Sequence, residues 1–508
     1  MKVFLLICCI VFANNSLIAQ FSYLNATYNP NNTWSAGLSI IEYNGSYYLT
    51  GATSDSIAQY QSIFIANIDA EGNLNFWKTY GGYPYAYWSG YSNALISTTS
   101  LGELVLAGSR SSSGTSSTAT YYNFQSNGDT NFTVQYPDTN YLDYTVFHQC
   151  KQTFDGGFIF VGKMTIAQYN GDILLLKTDH SGNEEWRKHY GKPITWAIDH
   201  GYNILETADS GYLIGYYFYV AGQQETGNPY VLKVDKQGNY EWEINFGGPY
   251  EDLLVVTCHT NDGNYMCAAS ISDSASGDNL FTKVNIFKIS SNGGIIWSKT
   301  IGDLHLWNKV HGIYQDHNGG YILCGYRHDF FEDPYQFLNS RGWICKIDEN
   351  GDSVWWREYK HFTDPEWNRN ELYDLHQTTD GGYVAIGQTA TIYDPQQTWL
   401  IRVDSFGCDT PDCQTVDIKD ISDFLDNSLS IYPNPAINEI HIKIPYQMYN
   451  NRNSIIIYDI FGRKQDEIII AYGERNTRID ISSYSSGVYI AVARSGQKRI
   501  GRAKFIVN

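Results

Sequence analysis

An all-β fold is what this chain of 508 residues predicts, on three observations. Aromatic residues make up 15% and charged residues only 17%, a mix rich in strand formers and poor in helix formers. Short apolar runs recur between Gly, Asn and Asp clusters, as strands do between turns. The chain also repeats itself: residues 151–164 read KQTFDGGFIFVGKM and residues 376–389 read HQTTDGGYVAIGQT. That length exceeds one ordinary core unless the fold is a repeat or a closed ring.

The first element is an export signal. In MKVFLLICCIVFANNSLIAQ, Lys2 supplies the positive start and Val3 to Ala13 an apolar stretch, with Ala19 before a cleavage point at Gln20. Cys8 and Cys9 lie inside the apolar stretch and follow no small residue, so a lipoprotein is rejected. Residues 1–19 are read as a signal peptide.

Residues 20–413 carry the repeat. The position of Asp380 recurs as Asn44, Leu101, Asp155, Asp209, Asp262 and Asn318, each before an apolar run such as GFIFVG or GYVAIG. A second motif of the form D-x-x-G, usually followed by a Trp, places Gly72, Gly128, Gly182, Gly238, Gly293, Gly351 and Gly407. Two independent motifs thus agree on seven units. Asp-Gly between strand-like runs predicts a tight hairpin with positive φ at both central residues. The D-x-x-G segment predicts a second hairpin. Four antiparallel strands repeated seven times describe a seven-bladed β-propeller. A linear solenoid is the alternative, but its ends would need capping repeats. The seventh unit stops at VDSFGCDTPDC without a fourth strand, and FSYLNATYNP near the N-terminus is the candidate to supply it.

The repeated Trp77, Trp186, Trp242, Trp297 and Trp355 are read as packing between blades. Their D-x-x-G-x-x-x-W pattern resembles the tryptophan-docking repeats of pyrroloquinoline-quinone propellers; the resemblance bears on the fold, and no cofactor is expected. The connections between blades hold Trp34, Trp88, Tyr141, Trp196, Tyr250, Trp307 and Trp367, one aromatic per blade, with Asp143, Asp199, Asp252 and Glu371 nearby. Such connections emerge on one face around the central channel. A ring of aromatic platforms with carboxylates suits a glycan or an extended peptide. The competing reading is that they seal blade junctions and cap turns.

Catalytic signatures are absent: no GxSxG, HExxH, CxxC or Walker loop occurs. His148, His311 and His376 fall in innermost strands at no metal-binding spacing, so no metal is expected. The net charge of −19 argues against nucleic acid, which needs a basic face. No run of 18 apolar residues predicts a transmembrane helix. Among the cysteines, Cys408 and Cys413 are close enough to oxidise in an exported protein. Cys258 and Cys267 are expected opposite each other in a hairpin, Cys324 and Cys345 on adjacent strands, and Cys150 alone.

After an acidic connector, residues 414–427, the pattern changes. Residues 428–508 hold 11 Lys+Arg against 6 Asp+Glu, so the charge changes sign. Alternating runs such as EIHIKI, SIIIYDI and GVYIAVA predict a small immunoglobulin-like β-sandwich. YPNPAINEIHI, IIIYDIFGR, IDISSYSSGVYIAVARSGQKR and a terminal KFIVN resemble the type A C-terminal sorting domain of type IX secretion substrates. Pro433, Asn434, Pro435, Gly462, Gly487 and Tyr489 match its pattern. The resemblance implies that the type IX machinery carries the chain from the periplasm across the outer membrane, to the cell surface or the medium. The expectation is a secreted binding or adhesion protein for an extracellular glycan or protein ligand; the alternative is a hydrolase or lyase acting on extracellular polysaccharide.

Overall fold

The computed structural model describes residues 22–30, 32–54, 61–89, 95–112, 116–137, 144–167, 170–194, 196–220, 227–248, 250, 252–276, 279–302, 307–329, 339–363, 367–411, 413, 429–443, 453–459, 463–470, 476–495 and 498–508. The signal peptide and the connector at 414–427 lie outside them. The chain forms two compact units, Met1–Pro411 and Asp412–Asn508. Both are all-β among the described residues.

In the larger unit the strands run as successive antiparallel meanders. The first is β2 (Ser35–Tyr43), β3 (Ser46–Ser54), β4 (Gln61–Asp69) and β5 (Leu74–Gly81). The second opens on a strand in two pieces, β6 (Tyr85–Ser89) and β7 (Ile96–Thr98), then β8 (Leu104–Ser112), β9 (Ser116–Phe124) and β10 (Thr130–Tyr136). The third is β11 (Thr145–Gln152), β12 (Phe158–Ala167), β13 (Asn170–Thr178) and β14 (Glu184–Tyr190). The fourth is β15 (Ala197–Glu206), β16 (Tyr212–Val220), β17 (Asn228–Val234) and β18 (Tyr240–Asn245). The fifth is β19 (Val255–His259), β20 (Tyr265–Ser276), β21 (Asn279–Ile289) and β22 (Ile295–Ile301). The sixth is β23 (Trp307–Gln315), β24 (Tyr321–Asp329), β25 (Asn339–Ile347) and β26 (Ser353–Tyr359). The last is β27 (Asn368–Gln377), β28 (Tyr383–Thr391) and β29 (Gln397–Val403), completed by β1 (Leu24–Tyr28) from the other end of the unit. β1 pairs antiparallel with β29, Leu24 opposite Arg402 and Tyr28 opposite Thr398.

Every apolar core lies between two successive meanders. Ile63, Leu104 and Phe124 join the first and second; Tyr121, Phe147 and Phe160 the second and third. The series ends where it began: Phe64 and Ile68 of the first pack with Val384, Ile386 and Leu400 of the last. First strands neighbour one another in cyclic order, β27 returning to β2. Sheets standing face to face around an axis, each burying both faces, make a β-propeller.

The D-x-x-G turn locks this arrangement. In Asp235–Asn239 the Asp235 carboxylate accepts the backbone N–H groups of Gln237 and Asn239 at 2.9 and 2.8 Å, and Gly238 takes φ 75°. Trp186 of the preceding meander lies against Gly238, where a Cβ would come within 3.0 Å of its ring. The Tyr190 hydroxyl donates to the Gly238 carbonyl at 2.6 Å. Trp242, Trp297 and Trp355 meet Gly293, Gly351 and Gly407 in the same way. In the first meander Phe76, not Trp77, meets the next glycine, Gly128; Trp77 faces the other way and stacks on Phe64 at 3.9 Å. Leu24 and Tyr28 of β1 complete the set, Leu24 against Gly72 and the Tyr28 hydroxyl donating to the Gly72 carbonyl at 2.8 Å.

The Asp-Gly hairpins differ from expectation. Only Asn44-Gly45 has positive φ at both central residues, 52° and 74°. In the longer turns the aspartate keeps ordinary φ and reaches a basic residue of the third strand. Lys177 pairs with Asp155 at 3.0 Å, Lys233 with Asp209 at 3.1 Å and Arg402 with Asp380 at 2.5 Å. In the sixth meander the acid is two residues earlier than the Asn318 position: Asp316 pairs with Lys346 at 3.0 Å. Cys258 lies opposite Met266 and Cys267 opposite Thr257, one register step from facing each other. Leu323 faces Cys345, and Cys324 faces Ile344. All four are free thiols, as is Cys150; Cys408 and Cys413 are disulfide-bonded.

The smaller unit has two sheets: β30 (Ser430–Tyr432), β31 (Glu439–Lys443) and β34 (Asn476–Asp480), and β33 (Lys464–Ile470), β32 (Asn453–Asp459), β35 (Gly487–Ser495) and β36 (Lys498–Val507). Ile440, Ile455, Ile457, Ile479, Ala491 and Phe505 form their common core.

Two outcomes follow. Removing residues 22–28 strips one sheet edge and the Gly72 contact, so thermal unfolding is expected to lose its single cooperative transition; a deletion variant melting like the full chain would refute closure by β1. Ser210 occupies a turn position where other repeats have glycine, at φ 63°. Ser210→Gly is expected to raise stability by about 1 kcal/mol, checked by urea unfolding.

Candidate functional site

The first strands form the inner wall of the propeller, and a repeated irregularity shapes it. β2, β11, β15, β23 and β27 each carry a bulge, leaving Leu38, His148, Tyr202, His311 and Tyr373 without a direct partner in the second strand. A bulge re-aims the side chains around it. In all but β23, where it is Gly312, the residue that follows is turned toward the next first strand and caps a backbone N–H there. Gln149 accepts from Ile204 N at 2.6 Å, Asn203 from Thr257 N at 3.0 Å and Asp374 from Ile40 N at 3.0 Å.

The bulged rings gather between neighbouring first strands. His148 lies 4.9 Å from Tyr202, and His311 lies 5.0 Å from Tyr373 and 5.3 Å from Tyr326. Desolvation is the main cause that keeps these imidazoles neutral at pH 7: His148 falls to about 3 and His311 well below the usual range. Sequence reasoning placed His148 and His311 on inner strands but missed Tyr202, Tyr326 and Tyr373, because a bulge exists only relative to its partner strand.

The aromatics expected at the mouth are placed as follows. Trp34 precedes β2 and Trp367 precedes β27, both half-buried. Trp196 precedes β15 at φ 71° and is 45% exposed; Tyr250 lies before β19 and is half-buried. Trp307 is the first residue of β23 and stacks on His328 at 4.9 Å. Trp88 is 38% exposed and sits within β6 opposite Ser109, so it belongs to the broken first strand of its meander and not to the connection. Tyr141 and Asp143 lie outside the described residues. The remaining acids are buried and engaged. Asp252 accepts Gly248 N and Ser272 N, both at 2.6 Å, and Glu371 accepts Gln388 Nε2 at 2.7 Å and the Tyr373 hydroxyl. Asp252 ties its loop to β20 and Glu371 is held within β27 and β28, so both offer a ligand at the mouth little free carboxylate.

Asp199 belongs to a different place, a cleft of about 410 Å³ between the third and fourth meanders. There His189 Nδ1 lies 2.6 Å from Asp172, and Lys192 pairs with Glu243 at 2.7 Å above the Tyr230 ring. The Tyr216 hydroxyl donates to Glu243 at 2.7 Å. Burial first, then the charges of Asp172 and Glu243, raise the Asp199 carboxyl to about 7, although Lys192 N donates to it at 3.2 Å. Its charged groups satisfy one another.

In the smaller unit Asn434, between Pro433 and Pro435, fastens the loop to β36: its Nδ2 donates to Lys504 O at 3.1 Å and its Oδ1 accepts Ile506 N at 2.9 Å. Tyr489 donates to Ser485 O at 2.8 Å and stacks on Phe505. Gly487 opens β35 with no close neighbour to a Cβ, and Gly462 lies outside the described residues.

Residues 430–508 match the family model of the secretion system C-terminal sorting domain. This is the type IX sorting domain, and the chain is an exported β-propeller protein that carries it. No curated protein matches the chain. Among solved structures it is similar to an α-L-arabinanase of Penicillium chrysogenum complexed with arabinobiose, at 12% identity over 76% of this chain and 99% of that one, TM-score 0.39. It is also similar to the β-propeller domain of the Trilobed protease from Pyrococcus furiosus, at 8% identity over 73% and 93%, TM-score 0.41. Drosophila Semaphorin 1a, extracellular domains 1–2, gives 8% identity over 89% and 97%, TM-score 0.41.

Asp199 sets a pH dependence. Between 3.8 and about 7 the folded carboxyl keeps a proton that the unfolded one has released, so stability falls as pH rises through that window. Asp199→Asn, which does not titrate, is expected to flatten the fall in Tm between pH 4 and 7. An unchanged slope would exclude Asp199 as its source.

Proposed function

We propose that this is a secreted or cell-surface binding protein whose seven-bladed propeller presents one mouth to an extracellular glycan or protein ligand. The observation that carries this reading is the half-exposure of large aromatics at the starts of the first strands, Trp88 and Trp196 above all. In a propeller those starts share one end of the ring. Flat apolar rings left in water there suit the faces of sugars or an extended peptide. Trp34, Tyr141, Tyr250, Trp307 and Trp367 belong to the same proposed surface. We take residues 1–19 as signal peptide, 20–413 as propeller, 414–427 as linker and 428–508 as an immunoglobulin-like sorting domain. On this division the periplasm is a stage on the route, and the tail is an address read by the type IX machinery.

Two experiments test this. Trp88→Ala with Trp196→Ala is expected to weaken binding on a glycan and protein array at least ten-fold while leaving Tm within about 2 °C; unchanged binding would place the site elsewhere. Product release from a polysaccharide panel would instead establish the hydrolase or lyase alternative. Truncation at residue 427 is expected to leave a folded propeller in the periplasm, and residues 414–508 fused to a signal-bearing cargo to export it. Normal export of the truncated chain would overturn the address model.

A further inference from the structure

Among the described residues of the propeller, the buried lysines have their charge offset, and Lys163 stands apart from them. Lys177 and Lys233 are all but fully buried and each touches two carboxylates; Lys346 has Asp316. On the inner wall, Lys151 feels the charge of Asp374 and Lys309 that of Glu371. Lys163, opposite Val146 in the β11–β12 hairpin, differs. It is half-buried, its Nζ lies 5.9 Å from the Tyr144 ring centre, and no ion pair or hydrogen bond holds it among the described residues. Its stem is packed as well: a Cβ on Gly171 would meet Lys163 Cε at 2.6 Å.

Its neighbours are imidazoles and phenols. The rings of His148 and His200 lie 6.1 Å apart and nearly parallel, and His200 Nδ1 is 3.0 Å from the Tyr202 hydroxyl. His200 Nε2 is buried and has no partner among the described residues. Burial pulls the Lys163 ammonium down, and Lys163 in turn adds to the depression of both histidines; among the described residues no carboxylate acts on any of the three. An ammonium held partly out of water without a counter-charge is destabilising, and in a chain of net charge −19 acids were available to offset it. A site kept short of negative charge beside an unsatisfied N–H or N is built to receive an anion.

We propose that this wall, with Lys163 on β12 and His200 on the adjoining β15, is an anion subsite that takes the carboxylate or sulfate of an acidic polysaccharide. Lys163 supplies the charge, His200 Nε2 a hydrogen bond, and the half-buried Tyr202 ring a flat face for the sugar. The polysaccharide rests on the glycan reading above; the anion does not.

Calorimetric titration of the full mature chain tests both parts with three probes: a galacturonate oligomer, its methyl ester and inorganic sulfate. The acid oligomer is expected to bind at least ten-fold tighter than the ester, and Lys163→Met to remove that difference. Lys163→Arg should restore part of it, and Lys236→Met, at an exposed turn, should leave it intact. Lys163→Met relieves an uncompensated charge, so its Tm is expected to hold or rise, which separates lost binding from lost folding. Sulfate binding that needs Lys163, with neither saccharide bound, would keep the anion subsite and overturn the glycan reading. Equal affinity for acid and ester, anion binding indifferent to Lys163→Met, or no anion bound in any form would overturn the subsite.

Discussion

A turn glycine and a side chain of the preceding blade, meeting across the blade junctions, are the contact on which the propeller depends. The D-x-x-G turn is rigid before any neighbour arrives, because its aspartate satisfies the turn's own N–H groups. Asp179 accepts Asn183 Nδ2 at 2.9 Å and Asn183 N and Ser181 N at 2.8 Å each, and these bonds, the Asn183 side chain's first, hold the carboxylate below its ordinary range. The glycine then takes a left-handed conformation and lacks a side chain, so the preceding blade's Trp or Phe can lie flat on the backbone. The hydroxyl of a tyrosine four residues further on reaches the glycine carbonyl, as Tyr136 does to Gly182 and Tyr359 to Gly407, both at 2.7 Å. A short sequence code therefore sets a long-range distance.

Closure uses the same contact. β1 brings Leu24 and Tyr28 to Gly72 with the spacing that Trp186 and Tyr190 have at Gly238. The two ends of the propeller are joined by the same tyrosine-to-glycine hydrogen bond that is made to Gly128, Gly182, Gly238 and Gly407. Asp374 adds a stitch on the inside, accepting Ser39 Oγ at 2.7 Å as well as Ile40 N. The first meander, for one, buries one face against the last meander and the other against the second.

What the sequence made legible follows from this economy. Turns with fixed chemistry repeat as letters, so the units, their four strands and the role of the N-terminal segment could be read directly. Register could not. Phe76 and Trp77 are adjacent, and in a strand adjacent residues face opposite sides, so choosing the more conspicuous aromatic chose the wrong face. The same one-step ambiguity misplaced Cys258 against Cys267. The carboxylates near the mouth were legible as residues but not as partners: Asp252 and Glu371 look available in a string of letters and are consumed in space, Asp252 by backbone N–H groups and Glu371 by the side chains of Tyr373 and Gln388. The bulges were invisible, since an extra residue is defined only by the strand beside it. The sorting unit was legible from its local motifs, within residues 430–508, and its packing was not.

The two ends of the propeller are unequal, and the inequality bears on function. At the end where both hairpin turns of each blade lie, side chains are committed: aspartate to backbone and lysine, threonine to aspartate, tyrosine to glycine. Thr378 Oγ1 donates to Asp380 at 2.5 Å and Arg402 pairs with the same carboxylate, which leaves little there to recognise anything else. At the opposite end the blades share no common letters. Trp88 stands in a broken strand, Trp196 in a strained turn, and Trp307 against a histidine, each solving a different local problem. Repeats conserve what the ring needs and vary where the ring does not constrain them. The Lys163 ammonium, without an ion pair among the described residues, belongs to that second region, where stability has been left to the opposite end.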